Sequence, residues 1–462
     1  MGVALVAAAT LLITACIEGP IAGTPTLNLA IPVGEAGYET REVFLFDEAD
    51  AFTPDAPLTN DGVWDVSVDE ANSGAGFKTR MVVVRPTDAS RFNGTVIVEW
   101  MNVTGSADLP VDWLTAHREF TRSGAMWVGV SAQSVGVNQL KTSTPDRYGS
   151  LVHPGDSYSY DIFSKAAKAI RTDRNVTGGL KPRRLIGTGQ SQSAGRLVTY
   201  INAIQPTYGA FDGFLVHGRG AGGASLAQSP LPSATVPSPT FVRDDLDVPV
   251  LVLQAEDDVI RANTAYRQPD TDGYRLWEIA GGAHLDAYTS NFTRLDDATP
   301  TGAARMFTEM RGPRPPGSCA ASQNAGGLHW SAQAAFRHVD TWIRTGTPPP
   351  VGPRLTVASS SPTVLERDAV GNALGGVRSP IMDAPIARLD GINSGGGFCQ
   401  LFGSTTPLTD EQLQARYTSK QDYIDEFTAS ADALVVAGFL LAPDAAELVA
   451  TATATAAGLP LP

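Results

Sequence analysis

The sequence predicts an α/β fold: a mostly parallel central sheet with helices on both faces, followed by an appended C-terminal region. Three observations carry that expectation. Apolar runs rich in β-branched residues recur between residues 36 and 350, including "GTVIVEW", "AMWVGVSA" and "VPVLVLQA". Near-continuous runs of this kind suit strands buried on both faces. Stretches with helical spacing separate them, and strand–helix alternation yields parallel strands with crossover helices. The 462 residues are 43% apolar, enough for a large core and for more than one typical domain length.

At the N-terminus, Val3 to Ala15 carry no charged side chain. That suits the apolar segment of a signal peptide and is too short to span a bilayer. The run ends Ile13-Thr14-Ala15-Cys16, an order that resembles a bacterial lipoprotein cleavage box. The resemblance implies a signal peptide over 1–16, cleavage before Cys16, and lipidation of its thiol. It also implies membrane attachment of the exported chain in the cell envelope; a plain secretory signal is the alternative. Residues 17–35 are rich in Gly, Pro and Thr and read as a tether. Export places the chain in an oxidising compartment. Beyond Cys16 only Cys319 and Cys399 remain, so one disulfide is possible. Neither has a Cys or His at metal-ligand spacing, which argues against a zinc site.

The core follows over 36–350. "REVFLF" and "TRMVVVRP" read as paired strands. "GTVIVEW" and "AMWVGVSA" are buried strands, with "LTAHREFTRSG" between them as a helix ending at Gly124. "DSYSYDIFSKAAKAIRT" has helical spacing and a cap in Asp156 or Ser157. "RRLIGTG" predicts a strand and "SAGRLVTYINAI" a helix. "FDGFLVHG", "VPVLVLQA" and "YRLWEIAG" predict three more strands. "LHWSAQAAFRHVDTWIRTG" is a long amphipathic helix ending at Gly346, with prolines just beyond. Residues 224–245 are Pro/Ser-rich and interrupt the rhythm as a loop or lid. Residues 351–462 are patterned more loosely. Their helical stretch opens on the cap signal Thr409-x-x-Gln412, and a Cys319–Cys399 bridge would pin the region to the core.

Ligands on such sheets bind beyond the carboxyl ends of the strands. After the strand "RRLIGTG" comes "GTGQSQSAGR". A strand, a tight turn and a helix lift one serine above the sheet edge, and need small residues two before and two after it. Ser191 has Gly189 and Ser193 in those places; Ser193 has Ser191 and Gly195. The register favours Ser191, which falls in the turn if the strand ends near Ile186, whereas Ser193 falls in the first helical turn.

A serine nucleophile needs a base oriented by an acid. Two later strands supply these in turn: "VPVLVLQA" is followed by Glu256-Asp257-Asp258, and "YRLWEIAGG" by Ala283-His284. The acid sits a few residues past its strand, which ranks Asp258 first, Glu256 second and Asp257 third. The other histidines fit the base less well. His117, His329 and His338 fall on helices, His153 lies in "LVHPGD", and His217 precedes the acid. An oxyanion hole needs two backbone N–H groups. Gln192 would supply one, and Asn102 or Val103 in the loop "MNVTG" the other.

The chain resembles an α/β-hydrolase-domain family of exported bacterial serine hydrolases. The phrases that carry the resemblance include "FNGTVIVEWMNVTG", "HPGDSYSYDIFSKAA", "GQSQSAGRLVTYINA", "QAEDDV", "RLWEIAGGAHLDAY" and "GNALGGVRSPIMDAP". Its G-x-S-Q-S-A elbow implies Ser191 as nucleophile, and G-x-A-H-x-D implies His284 as base. The resemblance implies an α/β-hydrolase fold and a carboxylic ester hydrolase acting on a small-molecule ester, with no metal or organic cofactor. Amide or lactone cleavage by the same triad is an alternative, as is a non-catalytic, hydrolase-shaped binding lipoprotein.

Other classes are disfavoured. With 34 basic and 48 acidic side chains the formal charge is -14, and a nucleic-acid binder needs a positive face. "HGRGAGG" spaces glycines as a dinucleotide site does, but a Pro/Ser-rich loop follows where a helix is required.

Overall fold

The computed structural model describes residues 16–296, 299 and 319–462; the signal-peptide expectation for 1–15 lies outside the described residues. One ten-stranded sheet organises the chain. Its strands are β1 (Cys16–Glu18), β2 (Tyr38–Ala49), β3 (Ala75–Pro86), β4 (Thr95–Trp100) and β5 (Met126–Val130). They continue with β6 (Arg184–Gln190), β7 (Gly213–His217), β8 (Val250–Ala255), β9 (Tyr274–Ala280) and β10 (Val377–Arg378). The spatial order is β1-β2-β3-β5-β4-β6-β7-β8-β9-β10. Pairing from β1 through β5 is antiparallel, and from β5 to β10 every pair is parallel.

The continuous apolar runs become strands buried on both faces. Val96 and Val98 point into one core and Ile97 into the other; Val252 and its neighbours Leu251 and Leu253 divide the same way. This is the two-residue period of a strand. Helices α1 (Val111–Ser123) and α5 (Leu328–Thr345) cover one face, through Trp113, Phe120, Leu328 and Phe336. Helices α2 (Ser159–Thr172) and α3 (Gln192–Thr199) cover the other, through Phe163, Ile170 and Leu197. The short α4 (Glu256–Arg261) follows β8. Gly124 and Gly346 end α1 and α5 in the left-handed conformation, at φ 80 and 71, which glycine adopts without Cβ strain.

Four local expectations change. Strand β6 runs on to Gln190 instead of ending near Ile186, because its glycines make room for close neighbours: a Cβ on Gly187 would come 2.8 Å from the Phe214 ring. Neither Asp156 nor Ser157 caps α2; they form a 3-10 turn ahead of it, and Asp156 binds Ser134 N–H and Arg196. The helical stretch after Thr409 breaks at Tyr417, and Ser419 caps a second helix. Residues 17–35 are laid on the body rather than extended from it. β1 pairs with Phe44–Phe46, and Leu27, Leu29 and Ile31 pack on the α1/α5 core. Their alternate spacing gives them one apolar face to bury.

Beyond residue 350 the chain adds β10 to the sheet and then α6 (Cys399–Phe402), α7 (Lys420–Ala437) and α8 (Ala442–Ala456). A Cys319–Cys399 disulfide is present, with Cα atoms 5.4 Å apart. Arg122 on α1 meets Asp444 on α8 at 2.7 Å, and Phe439 packs edge-on to Trp277. Residues 224–245 contain neither helix nor strand. No helix among the described residues is long and apolar enough to cross a membrane.

Candidate active site

Strand β6 ends at Gln190 and α3 begins at Gln192, so Ser191 alone makes the turn. Its backbone sits at φ 63 and ψ -117, a conformation that costs a non-glycine residue about 1–3 kcal/mol. Its surroundings hold it there. Ser191 N–H donates to His217 O at 2.9 Å, and Gly195 N–H donates to Ser191 O at 3.2 Å. Gly189 permits the close return of α3, since a Cβ there would lie 3.1 Å from Ser193 Cβ and 3.2 Å from its carbonyl. Ser193 is fully buried, and its hydroxyl donates to Met101 O at 3.2 Å.

Strands β8 and β9 pair in parallel, Ala255 opposite Ile279, so the loops after them emerge at the same edge as Ser191. His284 Nε2 lies 2.7 Å from Ser191 Oγ, and Nδ1 lies 2.6 Å from Asp258 Oδ1. Ala255 N–H donates to Asp258 Oδ2 at 2.8 Å, and Arg261 approaches Oδ1 at 3.1 Å. Burial opposes ionisation of Asp258. The charge and hydrogen bond of His284, with Arg261 and the Ala255 N–H, outweigh it and hold the carboxyl below its usual range. Gly218 ends β7 in the left-handed region at φ 63. A Cβ there would come 3.1 Å from His284 Nδ1 and 3.4 Å from Asp258 Oδ2, so glycine leaves room for the imidazole–carboxylate pair.

The two lower-ranked acids point elsewhere. Asp257 Oδ1 accepts from the His284 backbone N–H at 2.8 Å, and burial, reinforced by Asp258, raises its carboxyl well above the usual range. Glu256 accepts from Gly281 N–H at 2.6 Å and from Gly391 N–H at 3.1 Å. It thereby ties the loop ahead of His284 to the C-terminal region, and burial pushes it up to about 7. Asp257, Asp258 and His284 offer metal-ligand atoms within 4.8 Å of one another. The 2.6 Å contact between Asp258 and His284 is itself hydrogen-bond distance and leaves no space for an ion between them.

Gln192 opens α3, where its backbone N–H has no intrahelical acceptor. The expectation for Asn102 is corrected. Its N–H donates to Leu109 O at 3.1 Å, so it is spent within its own loop. Its side chain instead donates to Gln190 O at 2.9 Å and accepts from Thr104 N–H at 2.7 Å. The amide at the alternative position, Val103, has no acceptor among the described residues. Gln190 links the same loop to the histidine loop, donating to His284 O at 3.1 Å.

The remaining histidines have other surroundings. His117 and His329 are buried, and burial lowers both. His153 contacts Ala132 O and His338 contacts Gly438 O. His217 is the one that sequence reasoning undervalued. Its Nδ1 lies 2.8 Å from Asp112 Oδ1, while Asp112 Oδ2 accepts from Thr188 Oγ1 at 2.6 Å. Buried Glu99 accepts the N–H groups of Asp112 and Trp113 at the start of α1. This polar network runs beneath the Ser191 turn and braces α1 against β6 and β7. No spacing in the sequence links these residues.

A cavity of about 200 Å³ opens beside Ser191 and His284. One wall comes from Leu109 and Val111, the other from Phe398, Leu401 and Phe402 of the C-terminal region.

A search of curated proteins found no match. Solved structures resemble parts of the chain weakly. A dienelactone hydrolase from Anabaena variabilis is 14% identical over 55% of this chain and 98% of its own, with a TM-score of 0.30. An α/β serine hydrolase without a lid from Xanthomonas campestris is 14% identical over 44% and 78%, with a TM-score of 0.26. A glucuronoyl esterase from Solibacter usitatus is 12% identical over 57% and 83%, also at 0.26. The family described as "Alpha/beta hydrolase domain" matches residues 13–450. With that match across nearly the whole chain, and the sheet order and strand-to-helix serine turn above, the protein belongs to the α/β hydrolase domain family.

Proposed function

We propose that the protein is a serine hydrolase of carboxylic esters. The observation that carries this reading is the continuous contact Ser191 Oγ–His284 Nε2 (2.7 Å) and His284 Nδ1–Asp258 Oδ1 (2.6 Å), built on a serine at φ 63. In the reaction, Ser191 attacks the ester carbonyl as His284 takes its proton. Asp258 fixes the Nδ1–H tautomer and stabilises the imidazolium. The N–H groups of Gln192 and Val103 receive the oxyanion. His284 protonates the leaving alcohol, water attacks the acyl-enzyme with His284 as base, and Ser191 is released.

Turnover of p-nitrophenyl acetate by the wild type, S191A and H284A tests the reading. Each variant should lose at least about a thousandfold in kcat; full activity in folded S191A would overturn it. We also propose export, with Cys16 as the lipidated residue. Cys16 is exposed at the start of β1, and the Cys319–Cys399 bridge suits an oxidising compartment. Peptide mass spectrometry of the membrane fraction tests the lipid; an unmodified Cys16 there would overturn it.

A further inference from the structure

The cavity beside Ser191 differs from the rest of the site in its chemistry. Leu109, Val111, Leu285, Phe398, Leu401 and Phe402 supply its walls, and no Lys, Arg, Asp or Glu is among the described residues that line it. An anionic or cationic substituent would therefore lose its hydration there without gaining a counter-charge. Two of the wall residues are large apolar side chains left exposed at the surface: Phe398 at 52% and Leu109 at 38%. Exposed apolar groups flanking an apolar cavity are covered when an apolar ligand enters.

Size narrows the class further. An apolar cavity of about 150 Å³ holds benzene. The volume here is about 200 Å³, which suits an apolar group of about six to eight carbons by that comparison. The far wall belongs to the C-terminal region and is fixed in place. Cys399 opens α6 and is bonded to Cys319. Leu285 N–H, next to His284, donates to Leu401 O at 2.9 Å, and Asn324 N–H donates to Phe402 O at 3.0 Å. The segment 398–402 is thus hydrogen-bonded to the loop that carries the proposed base.

We infer that the segment Phe398–Phe402 is the specificity wall of the site, and that the substrates are neutral esters carrying an apolar group of about six to eight carbons, aryl or short alkyl. This rests on the serine-esterase reading. The class includes such a group on the acyl or on the alcohol side, and the assay separates the two.

The experiment compares kcat/KM for p-nitrophenyl acetate, hexanoate, benzoate and hemisuccinate, and for ethyl and benzyl acetate. Each methylene buried contributes up to about fourfold. Hexanoate or benzoate should exceed acetate by more than tenfold if the acyl group enters; benzyl should exceed ethyl acetate by that factor if the alcohol enters. Charged hemisuccinate should fall below acetate. L401W, which fills the cavity, and F398A, which removes its mouth, should abolish the advantage, with circular dichroism showing both variants folded. Flat results in both the acyl and the alcohol comparisons, a preference for hemisuccinate, or an advantage unchanged in L401W would overturn the inference.

Failure of the underlying reading looks different: no ester, acetate included, would be turned over in a Ser191-dependent way. In that event calorimetric titration of the wild type with benzyl alcohol against ethanol still decides the matter. Tighter binding of benzyl alcohol, lost in L401W, supports the apolar wall, and equal affinities reject it.

Discussion

Replacing Asp258 by Asn tests the proposed acid through the direction of one hydrogen bond. In the wild type, Asp258 Oδ2 accepts the Ala255 N–H at 2.8 Å and Oδ1 faces His284 Nδ1 at 2.6 Å. In D258N the fixed backbone donor of buried Ala255 keeps the amide oxygen, while the Arg261 side chain, 40% exposed, swings to solvent, so the NH2 group turns toward His284. Nδ1 must then accept, the ring proton moves to Nε2, and Nε2 faces Ser191 Oγ as a donor. The ring can no longer take the serine proton. A tautomer error of this kind costs about 10⁴ in kcat, or about 5.4 kcal/mol of transition-state stabilisation. Asp257 is the internal control. In D257N the amide oxygen still accepts the His284 backbone N–H, and the lost carboxylate is one that burial already holds toward its neutral form. D257N should keep kcat within about tenfold, because no group on the reacting path changes. Stopped-flow hydrolysis of p-nitrophenyl acetate near neutral pH, with circular dichroism to check folding, decides between them. A D258N enzyme of near wild-type kcat beside a crippled D257N would refute the assignment.

Other outcomes follow from the same geometry. S191G should abolish turnover and raise stability by about 1 kcal/mol, since glycine relieves the strain at φ 63 but adds unfolded-state entropy; urea unfolding reads it. G218A places a methyl 3.1 Å from His284 Nδ1 and should lower kcat more than tenfold, while destabilising by only about 1–2 kcal/mol. Glu256 is raised by burial to about 7 from 4.5. Its folded value exceeds its unfolded one, so the stability it contributes is full below about 4.5 and lost as pH rises through about 7. The wild type should lose up to about 3 kcal/mol relative to E256Q over that window, measured by urea unfolding at pH 5 and 8; parallel profiles for the two proteins would refute it.

Much of the fold was legible because its strands are long apolar runs. "GTVIVEW" and "VPVLVLQA" had to be buried on both faces, and crossover helices follow from that. Ser191 and His284 could be ranked because each follows its own strand. Separating Asp258 from Asp257 and Glu256 rested only on distance past the strand, and all three are buried within a few ångströms of the histidine loop. What stayed hidden depends on contacts between distant segments. The Asn102 amide is spent on Leu109 by the way its loop folds back. His217 reaches Asp112 across 105 positions. Phe398 and Leu401 sit more than 100 residues after the proposed base, in a stretch without strong pattern, and only the disulfide partner Cys399 hinted at their docking. The apolar alternation at Leu27, Leu29 and Ile31 was visible and would have argued against a loose tether.

Whether Ser191 is an activated nucleophile is decided by treating the folded protein with a fluorophosphonate and mapping the adduct by peptide mass spectrometry across "GTGQSQSAGR". A single adduct on Ser191, absent in H284A, is the expected result. An adduct on Ser193 would contradict the placement of the turn, and no adduct on protein shown to be folded would contradict the mechanism itself.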